Sequence, residues 1–345
     1  MNSIQRVMAA MKGKTSDRRA LSLTLSLYGA SLTSCPMNRY FTDSRAYFQG
    51  QCAVADKCGS DMLFSPFVLT AEAEAFGSTT AQPCNNPPVL KKHAISDIHD
   101  ISRIQIPDPD THPRLLYIRE ALNMMVSHLG SSFPIAAPVT SPMDLPVLLM
   151  GLENWLEIIL FNDSLFEDVR QICTEHFVSW ANILFAQGAS VLVIPSMFSN
   201  PSLISEILVC RIMLPALNSA FGRLNGPIIF HHGGQKLTKH LHLYKDLPNI
   251  AGFLIGHQDN LLQAREVLGP NMLLMGNLDG PSLRAMTPHQ IRRQCVQILD
   301  QMSADRNFIL ASANADIAAA TPAENLESII SAIADSSIPI SGSYS

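Results

Sequence analysis

The chain has 345 residues, of which 47% are hydrophobic and only 15% charged, against roughly 25% charged in an ordinary soluble protein. So apolar a sequence can bury a large core, which excludes disorder, a collagen-like repeat and a small disulfide scaffold. With 24 Lys and Arg against 29 Asp and Glu, the net charge is -5, and no basic stripe offers nucleic acid an electrostatic footing.

The length suits one large α/β barrel or two ordinary domains. Seven cysteines, at positions 35, 52, 58, 84, 173, 210 and 295, are odd in number and form no Cys-x-x-Cys pair. Neither a disulfide framework nor a zinc ribbon can be read from them, and they fit reduced thiols in the cytoplasm. The longest apolar runs stop near about ten residues, below the roughly 18 to 20 that a membrane span needs. The apolar excess therefore belongs to an interior or to a subunit interface, and a homodimer is the expected assembly.

At the start, Ile4, Val7, Met8 and Met11 fall at helical spacing with Arg and Lys between them, which predicts a helical extension over residues 1–19 rather than a signal peptide. Eight short apolar runs bounded by turn residues follow, at 20–27, 61–67, 133–139, 190–196, 227–232, 250–256, 271–277 and 307–313. Segment 203–224 reads as a helix carrying Ile204, Ile207, Leu208, Ile212 and Leu217. Segments 260–268 and 288–302 are amphipathic, and the latter opens at Thr287-Pro288, an N-cap followed by proline in the first turn. The stretch 77–111 holds Pro83, Pro87, Pro88, Pro107 and Pro109 and cannot be one regular element. It reads as a long excursion after the second strand. Eight apolar strands alternating with helices predict a (β/α)8 TIM barrel forming one domain over residues 1–345.

Active sites of such barrels lie where strands end. The segment GPIIFHHGGQ places His231 and His232 at the fifth strand end, where at most one should look inward, since successive strand residues face opposite ways. MLLMGNLDG places Asn277 and Asp279 at the seventh, and FILASANADIAAATP places Ser312, Asn314 and Asp316 at the eighth. FSPFVLTAEAEAFG brings Ser65, Glu72 and Glu74 toward the same rim. Singly, each has a structural alternative: a helix cap for Asn277 and Asp279, a solvated helix face for Glu72 and Glu74, a hydrogen-bonded core residue for a lone histidine. Their convergence on one rim points to function.

These segments, with RVMAAMKGKTSDRRA, CGSDMLF, APVTSPMDLPVLLMG, AQGASVLVIPS, NPSLIS, AREVLGPNMLLMGNLD and TPAENLESIISAI, resemble the uroporphyrinogen decarboxylase superfamily over nearly the whole chain. The branch they resemble is the cobalamin-dependent methyltransferases, which include methylcobalamin:coenzyme M methyltransferase. The resemblance implies a (β/α)8 barrel and methyl transfer between a small donor or acceptor and the cobalt of a corrinoid protein, the methylcobalamin being supplied by that partner. True decarboxylases carry an arginine-rich first motif and an Asp after the second strand. Here TSCPMNRYF offers only Arg39, and Pro66 stands in the place of the Asp. Too few cations remain for a macrocycle bearing many carboxylates.

Thiol-methylating members of the branch hold zinc through His-x-Cys after strand five and a Cys after strand eight. His231 matches the histidine as a metal ligand, Gly233 replaces the first cysteine, and Ala313 or Asn314 replaces the second. One substitute would use His231 with Asp316 and Glu72 or Glu74, a set that zinc accepts. Without metal, His231 would serve as general acid or hydrogen-bond donor, with Asn277, Asp279 and Asn314 as orienting groups. Ser65, Glu72, Glu74, His232 and Asp316 are then the substrate-binding candidates. Two rival readings are a decarboxylase-like lyase on another carboxylate and a barrel that binds without catalysis.

Overall fold

The computed structural model describes residues 1–83 and 86–336. Each of the eight apolar runs coincides with a strand, the seventh strand running two residues past its run: β1 Leu21–Ser22, β2 Leu63–Phe64, β3 Ile135–Pro138, β4 Val191–Pro195, β5 Ile228–His231, β6 Ile250–Leu254, β7 Leu273–Asp279 and β8 Phe308–Ala313. They form one parallel sheet in the order β1-β8-β7-β6-β5-β4-β3-β2. The result is a nearly closed barrel with helices between the strands.

Alternation along each strand divides the core in two. Val191, Val193, Ile229, Leu254, Leu273, Met275, Ile309 and Ala311 fill the barrel interior. Their neighbours Leu192, Ile194, Ile228, Phe253, Leu274 and Leu310 face the surrounding helices. Burial on both faces is why the strands read as unbroken apolar runs. The helix Ser3–Met11, opened by a capping box between Asn2 and Gln5, sets Val7 and Ala10 into the interior cluster. The N-terminal extension thus stoppers the lower mouth. Each aliphatic side chain buried so fully contributes about 1.5–3 kcal/mol.

The seam between β1 and β2 is closed by side chains. Leu21 N–H donates to Asp61 Oδ2 at 3.0 Å, Leu23 N–H donates to Ser60 Oγ at 3.0 Å, and Asp61 N–H donates to the Leu21 carbonyl at 2.6 Å. The Asp61 carboxylate, fully buried, also accepts from Ser3 Oγ, Arg6 Nη1 and both Arg18 Nη atoms at 2.7–3.2 Å. One carboxylate therefore ties the stopper helix, the arginine-bearing segment behind it and the open edge of the sheet together.

The helices Leu261–Leu268 and Pro288–Gln301 form as expected, the second capped by Thr287 with Gln290 completing the box. Segment 203–224 differs. It is Glu206–Leu208, a widened π-type turn Val209–Met213, and Leu214–Phe221. Pro215, which has no N–H to give, interrupts the regular ladder. Ile207 is exposed rather than part of an apolar stripe. The excursion after β2 contains an antiparallel ribbon, Thr79–Ala81 with Val89–Lys92, and a 3-10 turn, Ile98–Arg103. Among the described residues no helix is long and apolar enough to cross a membrane.

Candidate active site

Strand β5 ends at His231, and the chain turns at once through Gly233 and Gly234, with φ of 63° and 90°. The turn overrides strand alternation. Instead of facing opposite ways, the rings of His231 and His232 stack, with centroids 4.6 Å apart and planes at 23°. Burial, and then the neighbouring ring, hold His231 well below the usual imidazole value; burial likewise lowers His232. Both are neutral at pH 7. His231 Nδ1 accepts from Gly233 N–H at 2.9 Å, so its proton sits on Nε2. His232 has the opposite tautomer, because its Nε2 accepts from Asn314 N–H at 3.0 Å while Nδ1–H donates to the Gln235 carbonyl at 3.1 Å.

The His232–Asn314 bond crosses the mouth from β5 to β8. Asn314 stands in the left-handed region, φ 77°, and its side-chain amide donates to Asp279 Oδ1 at 3.0 Å. His257 Nδ1 lies 3.8 Å from the same oxygen. His232, Asn314, Asp279 and His257 thus connect the ends of β5, β6, β7 and β8. Around them Asp259, on the loop after β6, accepts from the N–H groups of Leu237, Thr238 and Gly256 at 2.8–3.2 Å. Asp144, on the loop after β3, accepts from Met197, Phe198 and Ser199 N–H and from Ser199 Oγ at 2.5–3.2 Å. Both carboxylates fix neighbouring loops. His257 and Asp259, in GHQDN just after the sixth run, carried the same strand-end signal that marked the other rim residues. Asp144 lies in the SPMDLP motif, but its partners are some 50 residues further along.

Beside this network lies a cavity of about 1050 Å³, walled by the first loop (Leu27, Ala30, Cys35, Met37), the segment after β2 (Phe67–Thr70), Asn86–Pro88 of the excursion, Pro281 and Arg284 after β7, and Asn314–Asp316 after β8. The excursion therefore stands over the mouth. Asp316 is buried, its Oδ1 accepts from Leu27 N–H at 3.2 Å, and burial raises its carboxyl to about 7. Arg284 and Asp316 are the only charged side chains lining this cavity among the described residues. Arg39 pairs instead with Asp43 on the surface. A single lining cation does not match a macrocycle of many carboxylates.

Several expected residues lie elsewhere. Glu72 is buried and does not line the cavity; its Oε1 accepts from Thr140 N–H at 2.7 Å and its Oε2 lies 3.1 Å from His176 Nε2. Glu74 pairs with Arg114 and accepts from Thr80 Oγ1. Two residues apart on a helix, the glutamates point to nearly opposite sides, and neither lines the cavity. Ser65 is fully buried with an unpartnered hydroxyl and does not line the cavity. Asn277 turns toward the loop after β6, giving its amide to the carbonyls of Gly256 and Asp259 at 3.1 Å each. His231 lies beside His232 and is not part of the cavity wall. Asp316, Asn314, Asp279 and His232 are the expected residues that the fold brings together. Glu72→Ala is expected to cost about 3–5 kcal/mol by stranding the groups around it, measured by urea denaturation, with ligand affinity unchanged.

The zinc site that the resemblance implies does not fit these residues. A Cβ at position 233 would stand 2.2 Å from the Ser196 carbonyl oxygen and 2.6 Å from Met197 N, at a φ of 63° that disfavours any side chain. The substitute set also fails, because Glu72 and Glu74 are committed to His176 and Arg114. Among the described residues no group of three or more His, Cys, Asp or Glu is placed to hold a metal. Gly233→Cys is therefore expected to lower stability by about 2 kcal/mol or more through backbone collision and strain, without creating stoichiometric zinc binding. Thermal melts and elemental analysis of the variant check this.

The comparisons agree with this architecture. The methylcobamide:CoM methyltransferase MtaA of Methanosarcina barkeri is 22% identical over 290 residues, 79% of each protein. A methylated-thiol–coenzyme M methyltransferase of Methanosarcina mazei is 22% identical over 353 residues, covering 98% of this chain and 91% of the relative. A uroporphyrinogen decarboxylase of Alkalilimnicola ehrlichii is also 22% identical, over 284 residues, 78% of this chain and 70% of the relative. Among solved structures, a methyltransferase from Methanosarcina mazei superposes with a TM-score of 0.85 at 20% identity, over 97% of this chain and 99% of that one. The uroporphyrinogen decarboxylase (URO-D) family profile matches residues 2–336, and the chain belongs to that family.

Proposed function

We propose that the protein moves a methyl group between a small molecule held in the mouth cavity and the cobalt of a corrinoid presented over the rim by a partner protein. The relatives named methylcobamide:CoM and methylated-thiol methyltransferases support the reaction class. The observation that carries the reading is the buried Asp316 carboxyl lining a cavity open at the barrel mouth. When the methyl group leaves its heteroatom for nucleophilic cobalt(I), the carbon–heteroatom bond breaks and Asp316 gives its proton to the departing heteroatom. In the reverse direction the ionised carboxylate accepts the proton of the attacking heteroatom as the new bond to methyl forms.

Asn314, fixed by His232 and Asp279, holds the loop that carries Asp316. It is a positioning residue. His231 supports the His232 ring by stacking. The cavity exceeds what a small donor or acceptor fills, leaving its outer part for the face of the corrin ring. The test is methyl exchange between methylcobalamin or cob(I)alamin and a panel of thiols, amines, phenols and their methyl derivatives, followed by cobalamin absorbance. Enzyme-dependent exchange is expected. Its absence with every pair would contradict the reading.

A further inference from the structure

We propose that the lower end of the barrel, where the strands begin, carries a second binding site, for the phosphoryl group of inorganic phosphate or of a small phosphate monoester. The proposal is independent of the methyl-transfer reading. A cavity of about 200 Å³ lies there between two segments: residues 14–20, which join the helix Ser3–Met11 to β1, and residues 303–308, which lead into β8. It is smaller than the roughly 300–1,000 Å³ of pockets that hold drug-sized ligands. Lys14, Arg19 and Arg306 line it, together with Thr15, Ser16 and Ser303. The rest of the wall is alanine and Phe308, and no carboxylate lines it among the described residues. Three cations gathered without an acid are unexpected in a chain of net charge -5.

These cations lack anionic partners. Lys14 and Arg306 are exposed and form no ion pair among the described residues. Arg19 is buried, yet its guanidinium meets only backbone carbonyls: Nη1 donates to Asp305 and Phe308, and Nη2 donates to Met302 and Ser303 at 3.0 and 3.3 Å. Those four carbonyls, which would repel an anion, are turned onto Arg19. Asp305, the acid of this segment, pairs with Arg265 at 2.7 Å. Ser16 and Ser303 give their hydroxyls to the Arg18 and Asp300 carbonyls. The free donors are therefore the Lys14 ammonium, the Arg306 guanidinium and the Thr15 hydroxyl.

Both segments are held in place without a ligand. Lys14 N–H donates to the Ala9 carbonyl at 2.8 Å, closing the helix end through Gly13 at a φ of 61°. Asn307 Nδ2 donates to the Ala10 carbonyl at 3.0 Å, joining that helix end to the start of β8. Donors fixed in this way lose little freedom on binding. A phosphoryl group near two negative charges matches two free cations backed by a third, whereas a carboxylate carries one. By bridging the two segments, the anion binds the folded chain and stabilises it by mass action.

The test is calorimetry in phosphate-free buffer. Inorganic phosphate, glycerol 3-phosphate and acetate are titrated into the full-length protein and into Lys14→Gln, Arg306→Gln and the double variant. Both side chains are exposed, so folding should survive, which circular dichroism verifies. Arg284→Gln, on the 3-10 turn Gly280–Ala285 beside the mouth cavity, is the control for binding there. One phosphate per chain is expected, held about tenfold more tightly than acetate and about tenfold less tightly by the double variant. Added salt should weaken it. Phosphate should raise the melting temperature of the parent and not of the double variant. Glycerol 3-phosphate binding as tightly as inorganic phosphate supports a monoester, and weaker binding supports free phosphate at the same site. No saturable phosphate binding, no preference over acetate, undiminished affinity in the double variant, or loss of binding in Arg284→Gln overturns the proposal.

Discussion

Asp316→Asn is expected to slow methyl transfer by about 10²–10⁴-fold at pH 7, because the amide keeps the shape but has no acidic proton to give. Stability should move the other way. Burial raises the carboxyl from its ordinary 3.8 to about 7, so the folded chain retains a proton that the unfolded chain has released. That contribution is complete below about pH 4 and lost as pH rises through 7, a change of roughly 4 kcal/mol. The variant should therefore be more stable than the parent above pH 7 while being nearly inactive. Asp144, also raised by burial, still contributes its own loss of stability with rising pH in the variant. The acid limb should persist too. His231 and His232 are held below their ordinary 6.5, so their contribution is present above that pH and falls as they are forced to protonate. Urea titrations across pH 4–9, run beside the transfer assay, measure both effects. A variant that is stabilised at high pH and fully active would remove Asp316 from the chemistry.

Asp61→Ala is expected to cost about 3–5 kcal/mol, because it strands Arg6 and Arg18 and removes the carboxylate that Leu21 N–H donates to at the β1–β2 seam. Asp61→Asn should cost less, since an amide oxygen can still accept from Leu21 N–H and Arg6 retains Asp17 at 2.8 Å. Denaturant midpoints of the two variants give the comparison. A loss below about 1 kcal/mol for the alanine variant would mean that the seam is held by the surrounding helices rather than by this carboxylate.

The barrel was legible because its strands are buried on both faces, so each run announces itself without needing its partner. Family membership was legible in the order of the motifs. The site was legible only at strand ends, where position alone puts a residue at the mouth: His232, Asp279, Asn314 and Asp316 are there. It failed where side-chain direction depends on partners remote in sequence. Glu72 meets His176, 104 residues on, and Glu74 meets Arg114. AEAEA says nothing of either. The two histidines were misjudged because strand alternation stops at the Gly-Gly turn. Arg284 carried no signal of its own, since a lone arginine in GPSLRA looks like any surface cation until the turn is seen beside the cavity.

The missing cysteines and the Gly233 geometry make the proposed reaction specific: corrinoid-linked methyl transfer through protein side chains, without the zinc thiolate that the family resemblance implies. It is tested most directly by the initial rate of enzyme-dependent methyl exchange at cobalamin, taken before and after exhaustive dialysis against a chelator. The same rate is expected in both. No enzyme-dependent exchange, or a rate lost on dialysis and restored by zinc, would contradict it.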